Sequence, residues 1–464
     1  MNLITMVRLL LFSVLFCTTT SVIAQFRLAN IYSDEMVLQM EPKSSHIWGF
    51  GENGFRVTVD VNGQVFGATV NDGTWSVRLS PQPAGGPHPL TVVHGSNDTL
   101  AINVWFGDVW ICAGQSNMEM HIALMQDPFG ETAKALTYQN LRLMQAARNF
   151  ATTEQDELLG IRIPWSAPSN QTVPSFSALC LMFAERMSES TGNTRPIGLV
   201  DTTWSFTRIE AWSSTRVTQY CNTPPDSSAT DENEYHVLWN AMVKPLTNMA
   251  VRGVTWYQGE SNGERNPDIY SCHIQRLVSD WRDTFIDGNV TVPTENNLAF
   301  PFGIAQLGPW TGAGPSSFGY VRWHQSVDQG LVPNYLLPES FMASAYDLTD
   351  LESPTGDGHF RDKPTLATRF ANAARALMYG ENYHLNGPWM LLQNGTWIDT
   401  KIVSVSGRQV TVEIDPSATH LAYAWQGIVC DYKDCSIYSA DSEALPAQVW
   451  LWNIGLLGRQ LWTK

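Results

Sequence analysis

Residues 254–263, VTWYQGESNG, open as an apolar run and break at a glycine. The same texture recurs in DVWICAG at 108–114, PIGLVDTT at 196–203, FPFGIAQLG at 300–308 and FMASAYDL at 341–348. Continuous hydrophobic runs of this kind fit parallel strands buried on both faces. Between them lie amphipathic stretches of helical length, SALCLMFAERMSES at 177–190, DIYSCHIQRLVSDWRDTF at 268–285 and PTLATRFANAARALMYG at 364–380, the last with Pro364 in its first turn and Gly380 as a stop. The reading is an α/β domain over 102–385, built on a doubly wound parallel sheet.

The flanks read differently. From 25 to 101 the apolar residues alternate, as at Val57, Val59 and Val61, and the turns NG at 62–63 and NDG at 71–73 are hairpin signals, which predicts an N-terminal β-domain. Alternation returns after 386 in GRQVTVEID and HLAYAWQG, predicting a C-terminal β-segment to 464. Residues 1–24 read as a signal peptide, with Arg8 before an apolar stretch from Leu9 to Cys17 and small residues ending at Ala24. Thr18 to Ser21 break that stretch well before the roughly 20 apolar residues a membrane anchor needs. The expected destination is the secretory pathway, lysosomal or extracellular.

Of seven cysteines, Cys17 leaves with the signal, and of the rest only Cys430 and Cys435, in CDYKDC, are near enough in sequence to suggest a local bridge. Zinc-type cysteine spacing is absent, so no metal and no other cofactor is expected. Sequons at Asn97, Asn170, Asn289 and Asn394 fit a glycosylated surface. With 28 basic and 44 acidic residues the net charge is −16, which argues against nucleic acid or an anionic membrane as partner and leaves any anionic substrate dependent on local arginines.

In open α/β sheets, sites form beyond the carboxyl ends of strands. Gly259-Glu260-Ser261-Asn262-Gly263 matches the G-x-S-x-G nucleophile elbow, but Gly263 and Pro267 postpone the expected helix to about Asp268, so Ser261 lacks the helix an elbow requires. In ICAGQSNMEMHIAL, by contrast, Gly114 permits a tight turn and Ser116 leads directly into a helix, although an ordinary N-cap would read the same way. The loop YDLTDLESPTGDGHFRDKPTL at 346–366 offers His359 as a base, with Asp357 to fix its tautomer.

Together FGDVWICAGQSNMEM, IEAWSS, LWNAMVKPL, GVTWYQGESN, YVRWHQ, HFRDK with ARALMYGE, and YAWQGIVCDYKDC resemble the SGNH hydrolase superfamily, and within it the sialate O-acetylesterases. The likeness starts at MVLQMEPKSSHIWGFG and covers nearly the whole mature chain. It implies a serine esterase that removes O-acetyl groups from sialic acid, with an esterase for other acetylated glycans or a weakly catalytic sugar-binding homologue as alternatives. Ser116 becomes the nucleophile, His359 the base and Asp357 its orienter, with Asp347 and Asp350 as other orienters. Asn262 and the N–H groups of Ser116 and Ser205 would hold the oxyanion. Gln115, Gln258, Glu260, Phe206 and Arg208 would contact substrate, and Arg208, Arg322 or Arg361 would meet a sialate carboxylate. The chain departs from the family in the second loop, where Gly-Gly-Thr is replaced by Ser205-Phe206-Thr207 and Arg208 follows in place of proline. Because phenylalanine avoids backbone conformations open to glycine, the N–H there is expected to be turned away or screened.

Overall fold

The computed structural model describes residues 25–95, 98–285, 300–313 and 317–381 and, beyond these, 402–406, 409–412, 420–424, 429–435, 438, 445–446 and 450–453. The predicted signal peptide and the sequons at Asn97, Asn289 and Asn394 lie outside the described residues; Asn170 is exposed in a turn.

Seven strands form the path of the main sheet: β1 (Asp98–Gly114), β2 (Leu141–Ala146), β3 (Ile161–Ser166), β4 (Ile197–Thr203), β5 (Gly253–Tyr257), β6 (Phe302–Gln306) and β7 (Ser340–Ser344), in the order β3-β2-β4-β1-β5-β6-β7. Every pairing is parallel except β3 on β2, so the predicted parallel sheet acquires an antiparallel edge. The order reverses at β1, which lies between β4 and β5, and the loops after these three strands therefore open side by side.

The five predicted apolar runs all lie in this sheet, and its two faces are both covered. In the β1/β5 register Gly253 faces Trp110 and Trp256 faces Ala113, so the two tryptophans point to opposite sides. Trp110 packs edge-on to Phe183 of helix α2 (Ala178–Ser190) at 4.9 Å, whereas Trp256 meets Trp281 of α4 (Tyr270–Phe285) at 5.8 Å. Helix α5 (Lys363–Tyr379) joins the α2 side, where Phe370 packs on Phe183 at 6.4 Å and on Phe341 of β7 at 5.7 Å. Pro364 stands in its first turn and Gly380 ends it at φ +65°, as read, and the structure adds an N-cap, Asp362, whose Oδ1 accepts from Thr365 N at 3.0 Å.

The N-terminal strands do not form a separate sheet throughout. Val57, Val59 and Val61 are buried on a hairpin, 56–61 with 64–69, whose turn residues Asn62 and Gly63 both have positive φ. The antiparallel partner of β1 is Gly85–His94, which pairs with its first half, while β4 and β5 pair with its second. The expected boundary at 101–102 thus falls inside one continuous strand. In the C-terminal region Ile402–Ser406 pairs with Gln409–Val412, and His420–Tyr423 with Trp450–Asn453, both antiparallel.

Disulfides join Cys112 to Cys180, Cys221 to Cys272, and Cys430 to Cys435 as the short spacing suggested. The first ties β1 to α2 across 68 residues. Closing a loop of that length should contribute about 4 kcal/mol by restricting the unfolded chain. Changing Cys112 and Cys180 together to alanine is expected to lower the urea-unfolding free energy by about that amount; a loss below about 1 kcal/mol would contradict the assignment.

Candidate active site

β1 ends at Gly114, whose φ of +130° and close approach to Tyr257 O leave no room for a side chain: a Cβ would lie 2.1 Å from that oxygen. The chain then turns through Gln115 into the single helical turn α1 (Ser116–Glu119). Ser116 occupies the first position of α1, and its backbone N–H has no hydrogen-bond partner among the described residues.

Ser116 shares a cleft of about 220 Å³ with His359. The cleft is walled by Glu119, Met120, His121, Leu124, Ser205, Phe206 and Thr355. His359 Nδ1 stands 2.9 Å from Thr355 O; only a protonated Nδ1 satisfies that carbonyl, which leaves Nε2 as the basic nitrogen. Burial, together with the nearby Lys363 charge, holds the imidazole below its ordinary pKa, while Thr355 O, Asp357 and Glu119 pull the other way. The ring is therefore neutral and basic at neutral pH.

The expectation that Asp357 orients the ring is corrected by this geometry. Asp357 Oδ2 accepts from Thr311 N at 2.7 Å; burial raises its pKa, and hydrogen bonds from Thr311 and from the Asp357 and Gly358 N–H groups together hold it below the ordinary value. Nor do the other carboxylates reach the ring: Asp347 is doubly bonded to Arg369, and Asp350 to Arg361. A backbone carbonyl performs the role sought in a side chain.

The second loop also differs from expectation. Phe206 adopts φ +62°, the left-handed conformation natural to glycine, and its side chain is 71% exposed at the cleft. Phenylalanine thus takes here the backbone conformation that glycine reaches most easily. What occupies the Ser205 N–H is Glu119, whose Oε2 accepts from Ser205 N at 2.5 Å and Oγ at 2.7 Å, while Oε1 pairs with Arg148. Ser205 N–H is consequently engaged and does not offer an oxyanion contact.

In the third loop Gly259 (φ +143°) leads into a helical turn, α3 (Glu260–Gly263), so a helix follows β5 earlier than the sequence suggested. Ser261, part of that turn, does not line the Ser116 cleft. Asn262 is fully buried, with Oδ1 accepting from Ile209 N at 3.0 Å and Gln258 Nε2 at 2.7 Å and Nδ2 donating to Glu210 Oε2 at 2.9 Å. Its amide braces the second and third loops and is not free for an oxyanion. Gln258 and Gln115 belong to the same scaffold: Gln258 Nε2 donates to Thr207 O and to Gln115 Oε1, and the latter also accepts from Gly259 N and Ser261 N. Neither lines the cleft, and neither does Glu260, which accepts from Asn117.

Each arginine considered for a substrate carboxylate has another task. Arg208 pairs with Asp226, Arg361 with Asp350, and the fully buried Arg322 donates to Leu307 O, Gly308 O and Ala424 O. Thr355, Glu119 and His121 were missed from sequence. Only Glu119 carried a usable signal, three residues beyond Ser116 on the same helical turn.

Comparison with known proteins bears on these loops. Residues 106–295 match the family model "Carbohydrate esterase, sialic acid-specific acetylesterase", and residues 383–454 match "Sialate O-acetylesterase C-terminal domain". The chain is 36% identical to the sialate O-acetylesterases of Homo sapiens and Pongo abelii, covering 91% of this chain and 91% of each. It is 33% identical to that of Mus musculus, with 91% and 93% covered. A carbohydrate acetylesterase from Xanthomonas citri has the same fold, with a TM-score of 0.77 over 92% of this chain and 99% of that one at 24% identity.

Proposed function

The chain belongs to the sialate O-acetylesterase family, and from that membership we propose that it removes O-acetyl groups from sialic acids by a serine acyl-enzyme route. Ser116 Oγ attacks the acetyl carbonyl while His359 Nε2 takes its proton. Charge develops on the carbonyl oxygen, where the Ser116 N–H can donate. Collapse expels the sugar oxygen, which receives the proton from His359, and water then releases acetate by the same steps. The observation that carries this reading is that Ser116 and His359 line one cleft, with Thr355 O holding the imidazole in its basic tautomer.

Acetate release from O-acetylated sialic acid, with and without a serine-directed inhibitor, tests the route; undiminished release in the presence of the inhibitor would refute it. Because no arginine or lysine lines the cleft among the described residues, other acetylated glycans are a second substrate reading, examined by comparing kcat/KM on an acetylated neutral glycan. The N-terminal strands that precede β1 and the C-terminal region, 386–464, act in this reading as accessory β-regions. A secretory destination is supported by the three disulfides and the exposed Asn170.

A pH prediction follows from the base. Catalysis needs neutral imidazole, and a folded pKa below the ordinary 6.5 keeps it neutral into mildly acidic solution. The acid limb of kcat/KM should accordingly lie below 6.5; a limb above that value would exclude His359, in this environment, as the titrating base.

A further inference from the structure

Behind the cleft, three side chains from α1, α3 and α5 meet in a chain of hydrogen bonds that the acyl-transfer steps leave unused. Asn117, next to the nucleophile, donates from Nδ2 to Glu260 Oε1 at 2.8 Å and to Gly358 O at 2.8 Å. Its Oδ1 accepts from Lys363 Nζ at 2.8 Å. Gly358 immediately precedes His359, so one amide links the nucleophile's neighbour to the base's neighbour.

Lys363 is fully buried, and its ammonium also donates to Phe360 O at 2.7 Å and lies 3.6 Å from the Phe360 ring centre. No carboxylate lies within ion-pair distance of it among the described residues. Glu260 Oε2 is buried without a hydrogen-bond partner. Burying either charge without direct pairing is costly. The arrangement instead puts the carboxylate at the N–H end of one amide and the ammonium at its carbonyl end, so the amide's orientation is fixed by both charges.

We propose that Asn117, clamped between Glu260 and Lys363, is the positioning residue that holds Ser116 and His359 in register, a task usually assigned to the carboxylate of a triad. The proposal rests on the Ser116–His359 reading above. It accounts for a histidine whose only Nδ1 partner among the described residues is a backbone carbonyl: the ring's tautomer comes from Thr355, and its loop's position comes from Asn117.

The clamp also acts through charge. Lys363 lowers the His359 pKa, whereas Asp357 and Glu119 raise it; Lys363 itself, pulled down to about 7 by burial, faces Glu260, Asp362 and Asp350. Removing Lys363 therefore raises the pKa of the base by loss of charge alone, so the acid limb reports the missing ammonium while a fall in kcat at constant KM reports lost register.

The test compares Lys363→Met with Glu260→Gln, using 4-nitrophenyl acetate and O-acetylated sialic acid. Methionine keeps the stem's length and apolar packing, and glutamine retains an oxygen to accept from Asn117. Misplacing reacting groups by about an ångström can cost about 10²-fold in rate. For Lys363→Met, kcat is expected to fall by about that factor with KM within about threefold, and the acid limb of kcat/KM should move to higher pH. For Glu260→Gln, kcat should fall less and the limb should stay in place. Folded variants, verified by circular dichroism, with kcat within threefold would overturn the proposal wherever the limb lies. If Lys363→Met does not fold, Glu260→Gln decides: unchanged kcat overturns the clamp and a reduced kcat with unchanged KM supports it. Failure of the underlying reading is detected separately, because fluorophosphonate would then label a residue other than Ser116 in the unaltered protein.

Discussion

Replacing Ser116 with alanine should lower kcat by about 10⁶, the loss seen when a triad nucleophile is removed from a serine hydrolase. Ser261→Ala should preserve turnover, with any loss confined to stability. These expectations separate the two serines that compete for the role of nucleophile. Ser116 stands directly beyond β1, in the cleft with His359, and its own N–H is without a partner among the described residues. Ser261 is in a helical turn beyond β5, with its backbone N–H given to Gln115 Oε1 at 3.3 Å, and it is not part of that cleft. Fluorophosphonate labelling followed by peptide mapping checks the assignment independently of rates. A label on the Ser116 peptide that disappears in Ser116→Ala is expected, while a label on Ser261 would transfer the nucleophile to the third loop and undo the proposed route.

Local clues alone, an apolar run, Gly114 and then a polar residue that starts a helix, left Ser116 readable as an ordinary N-cap, and it was the family resemblance that singled it out. The five strands and three long helices were legible because burial on both faces leaves a continuous apolar run and burial of one helix face leaves a periodic trace. The helical turn at Glu260–Gly263 left none, because a single turn depends on tertiary support more than on propensity, and here the Gln115 side chain holds Gly259 N and Ser261 N. Thr355 was invisible because a backbone acceptor belongs to no residue type. Asp357 misled for a related reason: a carboxylate near a histidine in sequence announces a partner, yet the turn gives its oxygen to Thr311. The boundary at 101–102 was placed where alternation gives way to a continuous run, but that change is one strand passing from a sheet covered on one face to a sheet covered on both.

Glu119→Ala should lower kcat by about 10²-fold, and the sign of the change matters more than its size. Glu119 takes both the N–H and the hydroxyl of Ser205 and pairs with Arg148, so it fastens the second loop beside Ser116. Without it the loop loses two charge-assisted hydrogen bonds, and a shift of about an ångström in the cleft wall would account for the loss. The competing view treats Ser205 N–H as an oxyanion donor withheld by Glu119. Releasing such a donor would increase kcat, since one oxyanion contact is worth about 10²–10³ in rate. The double change Ser205→Gly with Phe206→Gly completes the comparison. Phe206 already holds φ +62°, so glycine need not alter the backbone, and position 205 keeps its N–H on the carboxylate. That variant should retain kcat within about threefold and raise KM, because the exposed Phe206 ring at the cleft is lost. Steady-state kinetics on O-acetylated sialic acid distinguish the two views: a higher kcat in Glu119→Ala would establish the withheld donor, whereas a lower one, with the double variant almost unchanged in kcat, identifies Glu119 as the anchor of the loop.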